Sequence, residues 1–191
     1  MLVEPTTGGW GAAVDNDGQS GQFCYGNGET YNVPIEVTET RYGVLVEEYS
    51  LRTEDTNTGA GEFIWGRGTV RSYRAINDNQ SVTVTFGHHK SKPWGVDDGL
   101  KGNSNDAYIH RADGSIEGPF GMEHYLLNKD DVVVLKTGTG SGNGHPFDRP
   151  AEQVALDVKN GYYGVEAAAK TFGVQVDADS FAYEELYLLD K

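Results

Sequence analysis

The stretch GTVRSYRAINDNQSVTVTFG, residues 68–87, decides the class of fold. In its second half Val82, Val84 and Phe86 occupy every other position, and a period of two is that of a half-buried strand. In its first half the larger apolar residues Val70, Tyr73 and Ile76 alternate less strictly, but the composition suits a strand. INDNQS between them is a turn by composition, so the two runs are expected to pair as a hairpin.

Working outward, residues 33–51, VPIEVTETRYGVLVEEYSL, alternate in places, with Val44, Val46 and Tyr49 suited to strands. Beyond residue 87, Ala112-Asp113-Gly114 reads as a hairpin tip and DDVVVLKT, residues 130–137, as a short buried strand. From Pro150 the period changes. Ala151, Val154, Ala155 and Val158 fall at i, i+3, i+4 and i+7, one helical stripe that Asn160-Gly161 ends. VEAAAKTFG, residues 165–173, predicts a second short helix closed by Gly173, and the tail from Ser180 fits either helix or strand. The expected class is mainly β (α+β): an antiparallel β-rich domain with short C-terminal helices, about a fifth of it helical. Residues 1–191 are read as a single unit, β-rich over about 1–140, with a glycine-rich turn and helical appendage over about 137–191.

The 29 acidic against 15 basic residues give a net charge of -14. That balance argues against a nucleic-acid surface, which needs a basic stripe, and equally against an anionic membrane as partner. The acids are scattered, as on a well-solvated surface. A single cysteine, Cys24, rules out an internal disulfide and a cysteine-rich zinc cluster, lends little support to thiol catalysis, and fits a reducing cytoplasm. No apolar run is long enough to span a membrane, and the opening MLVEPTTGGWG lacks the basic start and apolar core of a signal peptide.

Three places carry candidate chemistry. KTGTGSGNGHPFDRP, residues 136–150, follows a strand and precedes a helix, the order of a phosphate-binding turn. It fails as one: His145-Pro146 stands where a lysine and Ser/Thr are needed, and the helix starts after two prolines that offer no N–H. A surface turn, or a loop lying against another chain or a shared active site, remains open, since glycines permit close backbone approach. TFGHHKSKPWG, residues 85–95, gathers His88, His89, Lys90 and Lys92 in an acidic chain. Adjacent histidines on a strand point to opposite faces, so a cationic patch for an anionic group and a solvated turn are the readings it supports better than metal ligation. Asp15 and Asp17 before Gly18 resemble the start of an EF-hand loop, but Gly26 stands where the twelfth-position acid belongs. His88, His89, Lys90 and Asp17 are the candidate site residues; no cofactor or metal is assigned to this chain, and Trp10 and Trp94 are expected as packed anchors.

Taken together and in order, these motifs resemble the C-terminal part of the hydantoinase B/5-oxoprolinase family. TTGGWGA with Asp17-Gly18 is similar to its glycine-tryptophan turn, and Asn32, Pro34 and Glu36 to its Asn-x-Pro-x-Glu segment. GAGEFIWGRG, residues 59–68, is similar to its Gly-Ala-Gly-x-Phe-x-Gly-Gly-x-Gly run, with Trp65 replacing a glycine, and KPWG to its Pro-Trp-Gly. HPFDRPAEQVALDVKNGYYGVEAAAKTFGV resembles its ending, with Pro-x-x-Arg, Val-x-x-Asp-Val and Glu-Ala-Ala. Where the family carries Thr-His-x-Thr-Asn, this chain has CYGNGETYN, without histidine.

The resemblance implies a hetero-oligomer. In such enzymes a hydantoinase A-type ATPase subunit uses ATP and Mg²⁺ to phosphorylate an amide or ketone oxygen. The B component then completes ring hydrolysis, or carboxylation in the acetone/acetophenone carboxylase branch. Its divalent metal is expected in an N-terminal hydantoinase B portion outside these motifs. The expectation is a C-terminal domain or small subunit of an ATP-dependent hydantoinase/5-oxoprolinase-type enzyme, cytoplasmic and inactive alone. A carboxylase subunit and a non-catalytic assembly module are the alternatives.

Overall fold

The computed structural model describes residues 1–23, 31–53 and 58–186. Helix α1 (Ile35–Tyr42) leads into strands β1 (Val44–Leu51), β2 (Thr69–Ala75), β3 (Gln80–Thr85), β4 (Asp106–His110), β5 (Ile116–Phe120), β6 (Met122–Leu127) and β7 (Val132–Lys136). Helices α2 (Ala151–Lys159) and α3 (Val165–Phe172) and strands β8 (Val174–Val176) and β9 (Tyr183–Glu185) follow. The chain is mainly β with short helices, as its periodicities predict.

Five strands form one antiparallel sheet in the order β1-β2-β7-β4-β5, and β3 pairs with β6 in a separate ribbon. The hairpin expected between β2 and β3 therefore does not form. β2 lies between β1 and β7, with Tyr73 opposite Val46 on one side and Val133 on the other. It is buried along most of its length, the burial of a central strand. β3 keeps its strict alternation because the ribbon lies over the sheet. Val84 is buried, and Val82 and Phe86 pack with it against Ala75, Ile109 and Val133. The chain at residues 76–79 folds over the sheet where a hairpin would have turned beside it.

The segment before β1 is the second departure, because Ile35–Tyr42 is helical. Pro34 supplies a helix-compatible entry at φ -52°, Glu36 sits in the first turn and Arg41 in the last, and Gly43 closes it at φ 69°. Thr38 is fully buried on this helix. Other expected elements are present: the 112–114 tip joins β4 to β5, β7 is a buried strand, and both C-terminal helices carry their apolar stripes inward. The tail resolves as strand β9 as far as it is described.

A second core joins the helices to the glycine-rich segments. Val154, Ala168, Phe172, Val174 and Val176 pack on Ile64 and Trp65 there, and Tyr163 stacks on Phe172 at a centroid distance of 4.8 Å. No helix among the described residues is long and apolar enough to cross a membrane.

Candidate functional site

Residues 137–144 run as an extended segment through the molecule's interior. A surface turn would leave its backbone free, but Gly140 and Gly142 are buried and their N–H groups are bonded within the chain. Gly140 N donates to Gly66 O at 2.9 Å, Gly142 N to Leu100 O at 3.0 Å and Gly144 N to Val96 O at 3.1 Å. Asn143 and Phe63 exchange a backbone pair at 3.1 and 3.0 Å, and Gly138 N donates to Asn105 Oδ1 at 2.5 Å. An anion cradle needs such donors free, and here they are spent. Glycine is required because other backbones lie against it: a Cβ at 140 would overlap the Trp10 carbonyl and one at 142 the Ala60 carbonyl. The glycines build a layer in which residues 8–12, 59–68, 95–102 and 137–144 share backbone hydrogen bonds.

Asp17 faces this layer's helical side. Its Oδ1 and Oδ2 accept from Arg149 Nη1 and Nη2, both at 2.9 Å, and Oδ1 also accepts from Ile64 N at 2.7 Å. The Arg149 side chain is 2% exposed and donates from Nε to Asp157 Oδ2 at 2.9 Å and from Nη1 to Glu62 O at 2.8 Å. Tyr163 OH donates to the same Asp157 oxygen at 2.9 Å. Burial alone would lower the Arg149 pKa, but the hydrogen bond to Asp17 and the charges of Asp157 and Asp17 outweigh it and hold it above its ordinary value. Burial, then the neighbouring Asp157 carboxylate, pushes the Tyr163 hydroxyl well up. The cluster ties an N-terminal loop to both C-terminal helices.

His88 and His89 sit in a bend after β3, and their rings part company. His88, at φ 50°, reaches the Ser91 carbonyl, with Nδ1 at 3.2 Å. His89 turns inward: Nδ1 lies 3.0 Å from Asn105 O and 3.4 Å from Asp106 Oδ1. Space for its ring exists because Gly121 has no side chain, a Cβ there falling 2.6 Å from His89 Cγ. Asp106 is itself held, by Ser104 Oγ at 3.3 Å and by Arg52 Nη2 at 3.7 Å. Arg52 Nη1 donates onward to Ser104 O at 3.0 Å and Thr137 O at 3.3 Å, which joins this cluster to the start of the glycine segment. Lys90 is exposed, and Lys92 Nζ lies 3.4 Å from Asn103 Oδ1.

The candidates thus fall in two places: His88, His89 and Lys90 at one end of the glycine layer, Asp17 at the other. No group of three or more His, Cys, Asp or Glu side chains that could hold a metal ion occurs among the described residues, so the metal the family resemblance implies has no fitting ligand set there. Cys24 lies outside the described residues. Trp94 and Trp10, both expected as packed anchors, stand 73% and 44% exposed, though Trp10 Nε1 donates to Phe23 O at 3.1 Å.

Reasoning from residue types did not single out Arg149, Asp157, Asp106 or Arg71. Arg149 and Asp157 stand in the Pro-x-x-Arg and Val-x-x-Asp motifs, and Asp157 follows Val154 by one helical turn, on the edge of the apolar stripe. Arg71, 2% exposed, pairs with Glu4 Oε2 at 2.9 Å, lies over the Tyr49 ring at 4.7 Å and shares Glu4 with Tyr73. Its signal is a charge at a core-facing position of a central strand.

An antiparallel sheet and ribbon, an interior glycine layer and a terminal helix pair locked to it by a buried arginine define the class, and likeness to known proteins gives it a name. The Hydantoinase B/oxoprolinase family model matches residues 1–146, and the chain belongs to that family. The putative B-type component of a D-/L-hydantoinase from Pseudomonas sp. (strain NS671) is 29% identical over 195 residues, covering 100% of this chain and 32% of its own length. The beta chain of caprolactamase from Pseudomonas jessenii is 31% identical over 192 residues, covering 94% of this chain and 31% of its own, and the solved ATP-dependent caprolactamase from that organism superposes with a TM-score of 0.66. The nucleotide-free structure of acetone carboxylase gives a TM-score of 0.73 over 94% of this chain and 28% of that one; at 20% identity this likeness shows the fold. The chain spans about a third of the length of these curated relatives.

Proposed function

We propose that residues 1–191 form a single C-terminal domain or small subunit of an ATP-dependent enzyme that hydrolyses a cyclic amide, without turnover by itself. The observation that carries this is similarity over nearly the whole chain to the beta chain of a caprolactamase and the B-type component of a hydantoinase. The partners are a hydantoinase A-type ATPase subunit, which supplies the ATP and Mg²⁺ chemistry, and an N-terminal hydantoinase B portion with the divalent metal, in the cytoplasm. Phosphorylating the amide oxygen turns a poor electrophile into one with a good leaving group, and the product must be kept from bulk water. A backbone-packed glycine layer suits that task, because it forms a rigid wall. On this reading His88, His89 and Lys90 face the reacting part of the assembly, and Asp17 holds the layer in place.

The test is reconstitution. Purified chain alone is expected to open neither 5-oxoproline, a hydantoin nor caprolactam with ATP, and the complex with both partners is expected to open one of them. Turnover by the chain alone sinks the partner requirement. The second reading is a subunit of an acetone/acetophenone-type carboxylase, with which the chain shares its fold. ATP-dependent incorporation of bicarbonate into a ketone, with no ring opened, would establish it instead. A purely structural module predicts that replacing Trp10, His88, His89 or Trp94 lowers assembly and activity together, whereas a contributing site loses activity with assembly intact.

A further inference from the structure

We propose that His89 and Asp106 form a proton-transfer pair whose Nε2 serves the ring-opening step; this rests on the cyclic-amide reading above. The inference starts from which ring nitrogen is engaged. Nδ1 faces two acceptors, the Asn105 carbonyl at 3.0 Å and Asp106 Oδ1 at 3.4 Å, so Nδ1 carries the hydrogen of the neutral imidazole. Nε2 is then the basic nitrogen. It has no hydrogen-bond partner among the described residues and is not among the buried unpartnered atoms, so it is reachable from solvent on a side chain 22% exposed. A base oriented by a third group that is itself fixed is the arrangement general-base catalysis needs. Here the fixing runs from Asp106 to Ser104 and Arg52, and through Arg52 to Thr137 at the head of the glycine segment. Lys90, Lys92 and His88 on the same bend are the charged and titratable neighbours on the open side, suited to a substrate made anionic by phosphorylation.

With the amide oxygen phosphorylated by ATP, the carbon is open to water. Nε2 takes one proton from the attacking water while its oxygen bonds to that carbon and the C=N π pair moves onto the ring nitrogen, which then receives the proton from the imidazolium. The new hydroxyl gives its proton through Nε2 to the same nitrogen as the carbonyl re-forms and the C–N bond breaks, its pair leaving with nitrogen. An amine and an acyl phosphate result, and a second water takes the latter to carboxylate and phosphate.

In the reconstituted complex, His89→Gln is expected to lower kcat about a hundredfold or more with assembly and KM kept. Imidazole added to His89→Gly should restore part of the rate, which a packing role would not allow. Asp106→Asn should lower kcat less than His89→Gln, while His124→Gln, on β6 and bonded to Thr83, keeps the wild-type rate. A His89→Gln complex within about twofold of wild type, or a loss that tracks lost assembly and ignores imidazole, overturns the proposal. The two readings fail separately. A wild-type complex that opens no ring sinks the hydrolase reading, whereas nitrogen-15 NMR of the isolated chain showing the Nε2–H tautomer sinks the His89–Asp106 pair.

Discussion

Arg149 shows at the scale of one residue how charge is made to hold this fold. It is buried with both partners in place, so removing the guanidinium strands Asp157, whose side chain is 4% exposed, as an uncompensated charge. Arg149→Met is expected to cost about 3–5 kcal/mol of unfolding free energy, read from the urea midpoint at constant m. Asp17→Asn should cost less, because the Asp17 side chain is 41% exposed and Arg149 keeps Asp157. Asp131 offers a pH test. It accepts from Asn128 N, Arg111 Nη1 and Ala112 N at 2.9, 2.8 and 3.0 Å. Burial works to raise its pKa, but these bonds and the Arg111 charge outweigh burial and hold it below its ordinary value. The folded state then binds fewer protons than the unfolded one. The stabilisation is complete above the ordinary value near ~3.9 and is lost as pH falls through the lower folded value. Asp131→Asn should flatten that acid limb when urea midpoints are followed from pH 6 downward. Residues of this kind were legible only as motif letters. A buried ion pair depends on which distant segments meet, and spacing along the chain does not record that.

Among the elements, those whose periodicity reflects a single buried face were readable, and β3, α2 and α3 are examples. β2 was readable as a strand but not by its neighbours, because a strand buried on both faces carries no pattern that says where it sits. α1 was missed because Ile35 and Val37 mimic alternation over a helix only 8 residues long; its real markers are Pro34 at the entry and Gly43 at the exit. The glycine segment was readable as glycine-rich and as suited to close backbone approach, but not as an extended segment in this chain's own interior. Its prediction is a contrast between two alanines. Gly140→Ala drives a Cβ into the Trp10 backbone and should cost about 3 kcal/mol or more, or abolish the soluble fold. Gly87→Ala, where nothing lies within 4 Å, should leave the urea midpoint unchanged.

The whole molecule is acidic, with a net charge of -14, and reads correctly from its periodicities as a mainly β protein. Composition could not reveal that its centre is a layer of bare backbone, since glycine counts do not say whether turns or interiors use them. The layer also fixes an order of events. Thr137 Oγ1 donates to Thr7 O at 2.6 Å across 130 positions, and Gly9 N donates to Gly138 O at 3.1 Å. Contacts so far apart in sequence form only after long loops close, which makes for slow folding. On a ribosome, residues 7–12 can meet Gln19, Gln22 and Gly66 early, but their partners at 137, 138 and 141 come only when that segment has cleared the exit tunnel. Residues 7–12 are therefore among the last parts to complete their contacts, and nascent chains arrested before residue 137 should leave them more open to protease than chains released past residue 144.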